Sequence, residues 1–443
     1  MSRTEREARR PLGVWPATAL VVGHTIGVGI FLTPAELIGA LASPALTFGV
    51  WLGVGALALF GALAYGELAS RYPQAGGVYV YLREAWGEEV AFLYGWQCLL
   101  VMDPGVTAGL AAGSGGYAAV LWPSAAGSAR WVALAIIWIL ALLSMAGLRL
   151  SVRTIEILTV AKLLLFAGVI VLAFTAGAGD PTHFSPFLHR RAGAPPLFQA
   201  LGLGLVGAFF SFGGFWEAAR VADEVRDPVR TLPRAFALGV VIVTLVYVAT
   251  TAAFLYLVPS SAALDAETFT RAAGEGLLGS KGPQLLAAAV LLSAVASAAA
   301  LIFLAPRMYV AMARDRAFPA PLAALHPTTG APVRATALLA GLASLLVWLG
   351  SFRQIAAFFL CTSLGFLALA AAGLFVVRRR ATAVPAYRTP GHPASTMLFV
   401  ALLAVVVLLV AVTNPRQAIA GAVLVALGIP AYRLLRRSGR VAS

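Results

Sequence analysis

Residues Val21–Pro34 read VVGHTIGVGIFLTP. The run is apolar enough to cross a bilayer, yet it carries His24, a Gly27-Val28-Gly29 triplet and Pro34. Each glycine inside a helix costs roughly 1 kcal/mol relative to Ala, so a segment serving only as an anchor would use Ala or Leu there. Backbone groups freed inside a membrane must be buried in protein or line a wet cavity. A break here therefore predicts a cavity near the bilayer midplane. The amides of Val28, Gly29 and Ile30 would open the second half-helix and form a seat for an anion such as a carboxylate. A small-residue packing face between helices accounts for the same glycines equally well.

The rest of the chain makes the membrane setting clear. It has 443 residues, of which 60% are hydrophobic and 11% charged, with a mean hydropathy of +0.89. That is too little charge to cover a soluble domain of this length. Twelve apolar runs of spanning length begin near Val14, Leu46, Ala91, Trp131, Thr154, Leu201, Ala235, Gln284, Val333, Ile355, Thr396 and Ala418. The loops between them read as short. With the N-terminus inside, 24 of the 32 Lys and Arg fall in inner loops and seven in outer ones. That asymmetry places both termini in the cytosol of a cell-membrane protein. It also explains the net charge of +14 without nucleic acid. Cys98 and Cys361 both lie within spans, which excludes a disulfide framework. The five His are scattered without metal-ligand spacing, and GVGIF lacks the Gly-Lys-Ser/Thr of a phosphate loop. No enzyme, metal or cofactor is expected.

The sixth run, LVGAFFSFGGFWEAARVADEVRDP, holds a second interruption at Gly213-Gly214. Two broken spans separated by five fit an inverted repeat of five helices each, with the breaks facing each other at the binding site. The expected architecture is an all-α polytopic protein of 12 transmembrane helices. It has a cytosolic tail over 1–13, a first repeat over 14–176, an extracellular loop over 177–200 and a second repeat over 201–377. A cytosolic loop over 378–395, two further spans over 396–434 and a cytosolic tail over 435–443 complete it.

Several stretches then resemble one family: GHTIGVGIFLTP, LAYGELASRYPQAGGVYVYLREAWG, TVAKLLL, FFSFGGFWEAARVADEVRDPVRTLPRA and PRMYVAMARDRAFP. Together they are similar to the amino acid–polyamine–organocation superfamily, most closely its L-type amino acid transporter branch. The likeness runs through the first eight or nine spans. It implies the LeuT-type fold, with helices 1 and 6 broken at the midplane, and a substrate gripped by its α-amino and α-carboxyl groups. Carried over, the carboxylate meets the amides of Val28, Gly29 and Ile30. The ammonium meets carbonyls of Thr25, Phe210 and Gly213. Ile26, Gly27, Phe212, Gly214 and Phe215 complete the pocket, and Phe210 is the gate. Val28 stands where relatives often carry Ser, so a hydroxyl donor is lost. The loop LWPSAAGSARW has no Cys, so the disulfide that ties animal relatives to a heavy chain is not expected.

Charges inside spans are functional candidates by default. Lys162 lies about two turns into the fifth span, and the resemblance implies that it replaces the sodium ion of coupled relatives, bridging helix 1 to helix 8 near Ser293 or Ser297. A lysine snorkelling to the interface is the plainer reading. Asp103, His24 and Glu217 are candidates for proton or side-chain contact. Each equally suits a local structural partner. Glu67, Arg71, Arg220, Asp223, Glu224 and Arg226 read as a cytosolic gate or a solvated rim. The sequence thus points to a sodium-independent amino acid transporter, exchanger or proton-linked, working by alternating access. Its partners are an amino acid, the bilayer and, as a candidate coupling ion, the proton. Neutral substrates suit the apolar pocket; a cationic amino acid or polyamine is the alternative, and a membrane sensor a weaker one.

Overall fold

A computed structural model describes residues 12–177, 179–259, 266–349, 352–380 and 385–437. The tail expected over 1–13 falls outside the described residues up to position 11. So do 381–384 of the loop over 378–395, residues 438–443 of the terminal tail, and the side chain of Cys361.

The chain is built from helices. In order they are α1 (Val14–Thr25), α2 (Gly29–Leu41), α3 (Pro44–Arg71), α4 (Val78–Trp86), α5 (Glu88–Gln97) and α6 (Asp103–Leu121). Then come α7 (Ala129–Met145), α8 (Leu148–Thr175), α9 (Leu197–Phe212), α10 (Pro228–Leu257) and α11 (Ala266–Leu278). The last five are α12 (Gly282–Arg314), α13 (Val333–Leu349), α14 (Phe352–Arg380), α15 (Ala394–Thr413) and α16 (Pro415–Arg437). Among the described residues no strand forms; there is one isolated bridge, between Leu12 and Val225.

Each of the twelve apolar runs begins on a helix. Eight helical segments are long and apolar enough to cross a membrane, and the pair α1–α2, bent by 53° at its break, makes a ninth. The helices α7 and α13 are apolar but shorter. The run from Ala91 is split: α5 ends at Gln97, a π turn covers Cys98–Met102, and α6 resumes at Asp103. Such π turns are rare and gather at functional sites. Contrary to the sequence reading, the loops are not uniformly short. Helices α4 and α11 occupy two of them, too brief to register as spanning runs.

Local chemistry sets the ends. Ser43 accepts the Leu46 N–H at 3.5 Å and Pro44 opens α3, where its missing N–H costs nothing. The pairing of α3 with α10 is the most extensive in the bundle. Trp51 of α3 is fully buried between Phe212 and Tyr247, with ring centroids at 6.1 and 5.0 Å. Each such aromatic pair adds about 0.5–1.5 kcal/mol beyond burial.

The acidic and basic residues expected to form one rim divide into separate groups. Glu67, at the end of α3, is buried and binds Arg71 at 2.8 Å, Arg378 of α14, and the Thr389 N–H at 2.7 Å. Glu224 pairs instead with Arg307 of α12 at 2.7 Å, and Arg220 lies in a third cluster. Glu67→Ala would strip three donors of one acceptor. The expected loss is on the order of 3 kcal/mol, read as a clear fall in Tm in detergent; an unchanged Tm would show the cluster to be dispensable.

Candidate functional site

The first break falls where α1 ends at Thr25 and α2 begins at Gly29. The second falls where α9 ends at Phe212 and a tight 3-10 helix runs from Phe215 to Glu224. Gly214 turns the chain there with φ +112°, a conformation an L side chain rarely adopts. A Cβ on Gly214 would also sit 2.5 Å from the His24 ring. The two breaks therefore touch, His24 against Gly214. On one side, Leu12 N–H bonds Glu224 O at 3.3 Å and Arg226 N–H bonds Leu12 O at 2.7 Å. On the other, the Thr33 and Ser211 hydroxyls are 2.9 Å apart, and a Cβ on Gly29 would lie 2.7 Å from Ser211 Oγ.

Between the breaks lies a cavity of about 110 Å³. Its wall includes His24, Thr25, Gly27, Val28 and Gly29 from the first break and Phe210, Gly213 and Gly214 from the second. Met102, Val106 and Leu110 close it from the third run, and Ser363, Leu364 and Leu367 from α14. The lining is mostly apolar. The residue that opens α2, Val28, provides no side-chain cap to the leading amides. The gate candidate Phe210 is in the wall.

Other assigned residues lie behind the wall. Ile26 and Ile30 are fully buried and do not line the cavity. Phe212 packs on Trp51 and Tyr247. Phe215 packs edge-on to Tyr65 and Trp216. At a break the helical period is lost, so the sequence alone does not reveal which side chains turn into the core. Thr25 O already receives the Tyr247 hydroxyl at 3.3 Å, and Phe210 O receives the Gly213 N–H at 3.0 Å.

Lys162 is 1% exposed, which excludes snorkelling. Its Nζ donates to Gly23 O at 2.8 Å and Ile26 O at 2.6 Å. Ser297 donates to the same two carbonyls at 3.0 and 2.9 Å. Ser293 donates to Ile26 O and Gly27 O at 2.9 and 3.0 Å. The lysine thus meets the two serines at shared carbonyls of the first span. Gly23 makes this possible, since its missing Cβ leaves room for Thr159, one turn before Lys162. His24 Nδ1 is 3.4 Å from Ser297 O.

Asp103 and Glu217 are not in the wall. Arg220 Nη1 reaches Asp103 Oδ2 at 3.0 Å, and Arg220 Nε contacts Glu217. Tyr309 donates to Asp103 at 2.8 Å and Trp216 Nε1 to Glu217 at 2.7 Å. Sequence reasoning missed Tyr247, Ser211 and Trp216 as neighbours of the cavity, and Arg220 as the partner of Asp103. The spacing of Glu217 and Arg220, three apart, was a local signal for their own pairing only. Among the described residues no group of three His, Cys, Asp or Glu could hold a metal.

A family model described as amino acid permease matches residues 12–429. The chain belongs to the amino acid permease family. This permease is 31% identical to an uncharacterised transporter of Mycobacterium tuberculosis over 98% of its own length and 94% of the relative's. It is 25% identical to a serine/threonine exchanger of Bacillus subtilis, over 90% of the permease and 91% of the exchanger. It is 29% identical to the human large neutral amino acids transporter small subunit 2, over 74% of the permease and 62% of that protein. The permease is a multi-pass helical membrane transporter, not an enzyme.

Proposed function

We propose that this permease moves neutral amino acids across the cell membrane by sodium-independent exchange. The observation that carries the reading is the small apolar cavity shared by two helix breaks, with uncapped amides of α2 on one wall. Helix N-termini favour anions, so the substrate carboxylate sits at the amides of Val28, Gly29 and Ile30. The ammonium sits toward the carbonyls of Thr25, Phe210 and Gly213. The wall formed by Val106, Leu110, Phe210 and Leu364 accepts an uncharged side chain.

Lys162 supports sodium independence, because its ammonium sits on carbonyls that could otherwise hold a cation. The names of the Bacillus and human relatives support exchange of neutral substrates. The cationic alternative loses its basis, since Asp103 and Glu217 both engage Arg220 behind the wall. In this reading the spans form a LeuT-type 5+5 inverted repeat, with both termini cytosolic and the breaks at the midplane. The loop helices α4 and α11 support it, as each follows the second span of its own repeat. The loop between the third and fourth spans has no Cys for a disulfide-linked heavy chain.

The test is uptake of labelled amino acids into sodium-free liposomes holding purified permease, with and without unlabelled amino acid inside. Neutral amino acids are expected to enter only by exchange, while arginine and putrescine do not enter. Uptake of arginine in preference to leucine or serine would overturn the substrate class. Uptake that needs sodium would overturn the role given to Lys162.

A further inference from the structure

Behind the cavity wall, two carboxylates share one guanidinium. Asp103, Glu217 and Arg220 are each no more than 1% exposed. Arg220 gives Nη1 to Asp103 and Nε to Glu217, so with both acids ionised the cluster carries one excess negative charge. The neighbouring groups do not offset it. Tyr309 and Trp216 donate neutral hydrogen bonds. Tyr65, Tyr94 and Cys98 are the other titratable side chains beside the cluster, with Cys98 Sγ 3.9 Å from Arg220 Nη2. His24 is the next titratable ring, set between Ser297 and Gly214. Lys162 spends its ammonium on the carbonyls of the first span.

An uncompensated charge buried in a membrane protein is costly, and a proton removes it. Asp103 Oδ1 is also buried with no hydrogen-bond partner among the described residues, an open acceptor for a carboxylic O–H. We propose that Asp103 and Glu217 together form a proton-binding site, holding one proton between them around Arg220.

The proton belongs to the pair, not to either acid alone. Its position gives it a route to the transport cycle. Met102 and Trp216, which precede Asp103 and Glu217 in the chain, both line the cavity, and Trp216 is bonded to Glu217. Both acids also sit at helix irregularities, Asp103 just after the π turn and Glu217 in the 3-10 segment past the second break. A change in cavity occupancy is thereby passed to the cluster, and the proton state of the cluster sets how readily the second break moves. This coupling to transport rests on the permease reading above; the proton site itself does not.

Two measurements on the full-length protein separate these levels. Infrared spectra of the purified permease in liposomes are expected to contain the carbonyl stretch of a buried protonated carboxylic acid. Both Glu217→Gln and Asp103→Asn should abolish it, because either change leaves one carboxylate balanced by Arg220. A spectrum without that band, or a band that survives both substitutions, would overturn the site whatever the protein transports. Exchange is then followed from pH 5.5 to 8. The wild-type rate is expected to change at least about fivefold, one excess charge being worth more than 1 kcal/mol in a low-dielectric site, and the rate of each amide variant to stay flat. A wild-type profile retained in both variants would overturn the coupling. Absence of exchange by the wild type at every pH would instead overturn the permease reading and leave the infrared result to decide the proton site.

Discussion

Lys162→Ala is expected to slow amino acid exchange about 10- to 100-fold while changing substrate affinity less than about threefold. The figure corresponds to the net loss of about one charge-assisted hydrogen bond, worth about 1.5–3 kcal/mol at 1.4 kcal/mol per factor of ten, because the serine hydroxyls keep both carbonyls bonded. The side chain is not among those lining the cavity. Its two bonds go to Gly23 O and Ile26 O on the far side of the first span. Ser293 and Ser297 remain after the substitution, so neither carbonyl is orphaned and the fold survives. What is lost is the tie between α8 and the broken helix. Binding measured by calorimetry and turnover measured in liposomes distinguish the two effects. Normal turnover would leave Lys162 as a structural lysine, and weakened binding with normal turnover would move it into the substrate site.

Gly27→Val is expected to raise the substrate Kd at least about 30-fold, or roughly 2 kcal/mol, with little change in Tm. A Cβ at Gly27 would stand 3.7 Å from Ser297 Oγ and 3.8 Å from Leu110, ordinary contact distances. Neither backbone strain nor a clash therefore opposes the first carbon. The two methyls beyond it must occupy the cavity. Gly29→Leu looks from sequence like the more direct test of the carboxylate seat. Its first carbon, however, would press on Ser211 and disturb the contact between α2 and α9. Unchanged affinity in Gly27→Val, measured beside an unchanged Tm, would remove the cavity from the substrate's path.

The two breaks were legible in sequence only together: one glycine pair alone suits helix packing equally well, whereas two such interruptions separated by five spans fit an inverted repeat. The lining beyond them was not. Phe210 reads as a wall residue and is one, but Phe212 and Phe215, from the same motif, pack inward because a broken helix does not keep the 3.6-residue period that such readings assume. The buried charges were legible as charges but not as partners. Asp103 and Arg220 are 117 positions apart, and no local pattern records a contact that only the fold creates. Lys162 was the opposite case. Its approach to the first span was an expectation carried by the family resemblance, while the shared carbonyls that receive it depend on backbone left open by the break. The helices α4 and α11 escaped notice because their apolar stretches stop well short of membrane length.

The ties around the breaks sort the four half-helices into two blocks. The halves α2 and α9 are held together by the Thr33–Ser211 bond and the close approach at Gly29. The half α1 and the segment Phe215–Glu224 are held by the Leu12 bonds and by His24 against Gly214. The chain crosses from block to block only at Ile26–Val28 and Gly213–Gly214. The two blocks are thus arranged like a pair of jaws on a common pivot, and the cavity lies at the pivot. Parting one jaw would break one set of bonds and leave the other in place, so a leak through both at once would require breaking both sets.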